Sequence, residues 1–184
     1  MTDFLRILES NPIVPAIKGD KFLRALESPC EVIFLLNGNI LTIEEHIKLA
    51  HMKGKKLLVH IDLADGIGKD DAGIKFLSSL GCDGIISTRA QIIKYAKREG
   101  MFTVQRFFTL DSQGLDSIYD VMSSSDPSMI EIMPGVITKT INKFAKSSVP
   151  VIAGGLIETK EEVTAALASG AIAVSTGKEE LWYL

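Results

Sequence analysis

The chain is poor in the residues that mark several functional classes. Cys30 and Cys82 are the two cysteines in 184 residues, and they form neither a C-x-x-C pair nor a ligand cluster. A disulfide scaffold is therefore excluded, and two buried thiols in a reducing compartment are expected. Three histidines, His46, His51 and His60, sit at no metal-ligand spacing, so no metal and no cofactor are expected. No apolar run approaches the ~18 residues of a membrane span. The opening residues, MTDFLRILESN, lack the basic and apolar regions of a signal peptide. The expectation is a cytoplasmic protein without membrane contact. Basic residues are not in excess either. Lys and Arg number 20 against 23 Asp and Glu, a net of −3, which argues against a nonspecific nucleic-acid binder. There is no aromatic-basic motif and no glycine-rich RNA loop. Basic clusters at Lys53, Lys55 and Lys56, at Lys94, Lys97 and Arg98, and at Lys139, Lys143 and Lys146 follow helical faces or ends and read as solvated surface. Linkers, low-complexity tracts and a second hydrophobic unit are missing as well, so residues 1–184 read as one domain.

What is present is a regular alternation. Short segments rich in Val, Ile and Phe occur at 13–18, 31–38, 56–63, 84–88, 102–108, 129–135, 149–155 and 171–177, starting about every 23 residues. Most are apolar on both faces, as strands of a covered parallel sheet must be. Between them the period is helical. Ile43, Ile47 and Ala50 share a face, as do Ile137, Ile141 and Phe144, then Leu115, Ile118, Tyr119 and Met122, and finally Val163, Ala166 and Leu167. Thr42 with Glu45, Thr159 with Glu162, and Thr176 with Glu179 match the capping box. Glycines at 54, 81, 100 and 170 stand where helices should stop. Eight strands with seven clear helices predict a single compact α/β fold, a (β/α)₈ TIM-type barrel. Its last helix is short or missing, because the sequence stops at EELWYL.

In such barrels the sites lie at the C-terminal strand ends, often with a phosphate held by the loops after strands 7 and 8. Those ends here are Gly154 and Gly155, and Ser175, Thr176 and Gly177. Bare glycine backbone lets amides approach an anion, and Thr176 adds a hydroxyl at a helix start. The plainer alternative is two tight turns with no ligand. Other strand ends carry polar residues that a core would avoid: Lys18, His60, Asp62, Arg106 and Glu131. An unpaired buried charge costs several kcal/mol, so these should line a wet mouth or pair with one another. A structural ion-pair layer and a set of groups for the hydroxyls of a small phosphorylated ligand are both consistent with that pattern.

The segments VHIDL, GIISTR followed by QRFF, IEIMPG and AGGLI, in this order, give the chain a resemblance to the glycerol uptake operon antiterminator regulatory protein family. The resemblance runs from NPIVPAIK to VSTGKEELW. It implies a non-catalytic regulator whose effector is glycerol 3-phosphate. With effector bound, such a regulator binds the leader mRNA of a glycerol-catabolic operon so that polymerase reads past a terminator. By position, Gly154, Gly155, Ser175, Thr176 and Gly177 would hold the phosphate. Lys18, His60, Asp62, Arg106 and Glu131 would face the glycerol end. A homo-oligomer is compatible with such a switch. The alternative from fold analogy is a barrel enzyme acting on a small phosphorylated metabolite.

Overall fold

Strands that are apolar on both faces must be covered on both, and this chain covers them by closing the sheet on itself. The computed structural model describes residues 2–109 and 112–184, with side chains for 4–109 and 117–184. Strands β1 (Ile13–Ile17), β2 (Val32–Leu35), β3 (Lys56–His60), β4 (Gly84–Ser87), β5 (Phe102–Phe108), β6 (Met129–Met133), β7 (Val151–Gly154) and β8 (Ala173–Thr176) pair in parallel and in chain order. β8 returns to β1, giving a closed (β/α)₈ barrel. Helices α2 (Phe22–Glu27), α3 (Ile43–Met52), α4 (Asp71–Ser79), α5 (Ala90–Arg98), α6 (Ser112–Ser125), α7 (Thr138–Phe144) and α8 (Lys160–Ala168) follow strands one to seven. After β8 comes a 3₁₀ stretch, Glu179–Tyr183, in place of an eighth α-helix. Among the described residues no helix is long and apolar enough to cross a membrane.

All eight strands stand where the alternation puts them, although seven of them end one to three residues earlier than expected. Helix signals fared unevenly. Thr159 and Glu162 form the full capping box at α8. Thr42 makes no side-chain cap at α3, and Thr176 is the last residue of β8. Gly54, Gly81, Gly100 and Gly170 all have positive φ and follow the ends of α3, α4, α5 and α8. Ile137 is exposed at the start of α7, while Ile141 and Phe144 are buried. The side chain of Leu115 lies outside the described residues.

Side chains two apart along a strand share a face. One set, including Val14, Val32, Phe34, Leu58, Ile86, Val104, Met129, Ile152 and Ala173, packs as an inner cluster. The other set packs with the helices as the larger outer core. The inner cluster has a stopper that the alternation does not announce. Helix α1 (Thr2–Ser10) carries Phe4, Leu5, Ile7 and Leu8 at helical spacing and packs them against that cluster. Phe4 stacks on Phe102, with ring centroids 4.2 Å apart, and Leu8 is 1% exposed. The lower half of the barrel is therefore filled by apolar side chains, and the cavity described below opens at the upper rim.

The 3₁₀ stretch anchors the closure. Trp182 is buried and donates its indole N–H to the Thr176 carbonyl at 3.0 Å. Glu179 pairs with Lys21 at 3.1 Å and with Arg24 at 2.9 Å, tying the segment after β8 to the segment after β1.

If α1 is a stopper, truncating its inward residue should leave a cavity in the core. Leu8→Ala is expected to lower stability by about 2–4 kcal/mol in urea unfolding, with the upper-rim residues unaffected.

Candidate functional site

Space at Gly154 is taken by the protein itself. A Cβ there would lie 2.4 Å from Glu131 Oε1 and 2.6 Å from Ser175 Oγ. The glycine exists because a carboxylate and a hydroxyl occupy the barrel interior at that level. Gly155 follows with φ +75°, and Leu156 with φ +60°, a conformation unusual for a residue with a side chain. The carbonyls of Gly154 and Gly155 accept from the Gly135 amide at 2.6 and 3.1 Å, which joins the turn after β7 to the turn after β6.

Above this layer opens a cavity of about 460 Å³. Arg106, Glu131, Ser175, Ala16 and Leu36 contribute to its lining from the barrel wall, and Gly155, Leu156, Glu158, Gly177, Lys178 and Lys21 from the loops. Register places Arg106 directly beside Glu131 on neighbouring strands β5 and β6. Arg106 Nε donates to Glu131 Oε2 at 2.5 Å, and Ser175 Oγ donates to Glu131 Oε1 at 2.5 Å. Glu131 is 0% and Arg106 7% exposed. Arg106 uses Nε in its bond to Glu131, and among the described residues its Nη groups retain donors for a ligand.

Both predicted hydroxyls are already engaged. The Ser175 proton serves Glu131. Thr176 Oγ1 donates to the Ile157 carbonyl at 2.8 Å and accepts from the Lys178 amide at 3.1 Å. Thr176 and Glu179 do not cap a helix, since Glu179 is held by Lys21 and Arg24. Lys21 also donates to the Gly177 carbonyl at 3.3 Å, and Lys178 Nζ lies 3.6 Å from Glu158. The loops after β1, β7 and β8 thus converge on one mouth, with two ammonium groups on its rim.

The structure brings Arg106, Glu131, Gly155, Ser175, Thr176 and Gly177 to this cavity, with Gly154 just behind it. Lys18 is exposed and lies outside the lining. Lys21 occupies the rim instead, carried back by the one-turn 3₁₀ segment Gly19–Lys21. Sequence reasoning missed it, although the spacing in IKGDK was a usable sign. His60 and Asp62 are two apart in the apolar segment 56–63, and in one continuous strand they would share a face, but the strand does not continue. β3 ends at His60, and Asp62 sits in a 3₁₀ turn, Ile61–Leu63. Its carboxylate accepts from Ser87 Oγ at 2.7 Å, the Thr88 amide at 2.7 Å and Thr88 Oγ1 at 2.9 Å. Burial opposes its charge, but these donors together hold its pKa below the ordinary aspartate value. Asp62 is a clamp on the β4–α5 loop. His60 is 4% exposed, and its pKa is lowered by burial first and by Arg106 second.

Of the basic clusters, the first is partly structural. Lys55 is 7% exposed and donates to the carbonyls of Ser28 and Cys30, both at 2.6 Å. Lys56 pairs with Asp83, Lys97 with Asp126, and Arg98 with Asp71.

The Arg106–Glu131 pair gives a clear test. Arg106→Met strands a buried carboxylate and should cost about 3–5 kcal/mol in urea unfolding, whereas Arg106→Met with Glu131→Met should recover most of that loss.

Comparison with known proteins agrees with the architecture and narrows the class. A family model described as glycerol-3-phosphate responsive antiterminator matches residues 13–182. The chain is 37% identical over 183 residues to the uncharacterized protein YgcP of Escherichia coli (strain K12), covering 98% of this chain and 96% of that protein. The solved structure of a glycerol uptake operon antiterminator regulatory protein from Listeria monocytogenes is similar at 40% identity and a TM-score of 0.87. That match covers 92% of this chain and 94% of that one. An antiterminator-related protein from Thermotoga maritima matches at 30% identity and a TM-score of 0.83, covering 94% and 98%. Phosphate-sugar aldolases near 0.7 in TM-score share 11–15% identity and bear on the fold alone. On the family match and these two antiterminator structures, this barrel belongs to the glycerol-3-phosphate responsive antiterminator family.

Proposed function

We propose that the cavity above β7 and β8 is the effector site and that its ligand is glycerol 3-phosphate. The single observation carrying this reading is the polarity of the cavity. Its rim holds Lys21 and Lys178 beside the Gly155–Leu156 and Gly177 turns, and its floor holds the Arg106–Glu131 pair. A phosphate favours the cationic rim and the loop amides. Hydroxyl groups suit the floor, where Glu131 has lone pairs left and Arg106 has donors left. The ligand would thus enter with one end anionic and the other alcoholic.

The effector-bound protein then binds leader mRNA of a glycerol-catabolic operon and permits read-through of a terminator. A small anion can alter RNA affinity only by binding two states of the protein unequally. The loops after β6, β7 and β8 are suited to such a difference, because they are joined through Gly135, Ile157 and Thr176, and those after β7 and β8 line the cavity. A binding role is also supported by the barrel interior. Among the described residues that line the cavity from the barrel wall, the charged ones are Arg106 and Glu131, already paired with each other. The protein acts in the cytoplasm, where leader transcripts are made.

Two measurements test this. Isothermal titration should detect glycerol 3-phosphate, and Lys21→Ala with Lys178→Ala should weaken it roughly tenfold or more. Filter binding of a leader transcript should show affinity that rises with effector and falls with salt, as counterion release requires. RNA affinity that is negligible at saturating effector would overturn the antiterminator mechanism for this chain.

A further inference from the structure

Of the three basic clusters in the sequence, the third stands apart. Lys55 is sealed into the fold, Lys97 and Arg98 face Asp126 and Asp71, and Lys94 donates to Ser124 Oγ at 3.0 Å. Residues 132–157, by contrast, hold Lys139, Lys143 and Lys146 and contain no Asp or Glu. Thr140, Ile141 and Phe144 are buried and fix the inward face of α7. Lys139, Asn142, Lys143 and Lys146 then stand at i, i+3, i+4 and i+7 on the outward face, Lys146 in the turn that follows the helix. Lys139, Asn142 and Lys146 are exposed, and among the described residues neither Lys139 nor Lys146 enters an ion pair. Lys143 is held over the Tyr119 ring, with Nζ 5.7 Å from its centroid. Tyr119 Oη in turn donates to the Lys143 carbonyl at 3.3 Å.

Helix stability does not account for this face. Cations suit a helix C-terminus, which covers Lys143 and Lys146, but Lys139 is in the first turn, where the dipole favours an anion. The exposed Asp120 of α6 lies one turn before Ser124, on the side turned to Lys94 of α5. Glu162 of α8 is committed to its own capping box. A row of one sign on a chain of net −3 is complementary to a polyanion. Its place in the fold ties it to the effector cavity. Met133 lines that cavity, and the Gly135 amide meets the Gly154 and Gly155 carbonyls just before α7 begins. A Cβ at Gly135 would lie 2.7 Å from the Gly154 nitrogen, so the lead-in to α7 rests directly on the turn after β7. Movement of that turn reaches α7 through backbone contacts.

We infer that the α7 face formed by Lys139, Asn142, Lys143 and Lys146 is where the leader RNA is held, through the phosphates of one strand. This rests on the antiterminator reading above and adds to it the surface that meets the RNA. The row runs about 10 Å along the helix axis. It grips the sugar-phosphate backbone and does not read bases.

The test is filter binding of the leader transcript to the full chain at saturating glycerol 3-phosphate. Lys139→Gln with Lys143→Gln and Lys146→Gln should weaken binding about tenfold or more at about 0.1 M salt, and flatten the slope of log affinity against log salt by about 2. Arginine at the same three positions should preserve binding, because the charges remain. In the glutamine triple, glycerol 3-phosphate affinity by isothermal titration should match the wild type. Lys94→Gln with Arg98→Gln on α5 is the control and should leave RNA affinity intact. Wild-type affinity and slope in the α7 triple would overturn the inference, as would a loss that appears in the α5 pair instead. A changed oligomeric state of the triple in size-exclusion chromatography also decides against it, marking the face as a contact between copies. So does a large fall in melting temperature or effector affinity, which marks a structural role. If the triple does not fold, Lys139→Gln with Lys146→Gln, both at exposed positions, decides by the same readouts. Wild-type protein without RNA affinity at saturating effector sinks the antiterminator reading and this face with it, whereas equal RNA binding by wild type and triple sinks this face alone.

Discussion

A carboxylate fully out of water at the centre of a barrel needs a counter-charge, and the upper half of this protein is arranged to provide one. Glu131 takes Arg106 on one oxygen and Ser175 on the other. Accommodating that trio removes the side chain at position 154. Such a pair is a poor way to gain stability, since desolvating two ions costs about what their attraction returns. Apolar residues of similar volume would hold the barrel as well or better. Retaining the ions makes sense if the polar floor they create is used by something that enters from above.

The two halves of the barrel therefore follow different rules. Below, α1 closes an aliphatic interior, and the gain is apolar area removed from water. Above, polar side chains replace apolar ones and the chain leaves most strands earlier than expected. The turn after β7 also holds Leu156 at positive φ, with the side chain 68% exposed at the cavity rim. Backbone strain of this kind persists where the surroundings over-determine the conformation, and it gathers at ligand clamps. The tie from Gly135 to the Gly154 and Gly155 carbonyls is one such determinant.

Much of the fold was legible because periodicity is local. Eight apolar runs and the helical stripes between them require no knowledge of distant contacts. α1 escaped notice because its stripe, Phe4, Leu5, Ile7 and Leu8, precedes the first strand and so falls outside the alternation. The site was only partly legible, and Gly154 shows why. The sequence shows that something crowds that backbone but not whether the intruder is a ligand or Glu131, which lies on another strand. Asp62 shows a second limit. The alternation rule holds only while the strand continues, and β3 stops at His60. Thr176 shows a third, since a capping-box spelling can be formed by a hydroxyl that is already committed to the Ile157 carbonyl.

The contact from Lys21 to the Gly177 carbonyl spans 156 positions of sequence. Part of the cavity rim comes from the segment after β1 and part from the segment after β8, so β8 is needed to complete both the ring and the pocket. A nascent chain on the ribosome therefore lacks a complete pocket until β8 has emerged. Whatever this barrel senses, it cannot sense it while still being translated, and a prematurely terminated product is blind to the signal.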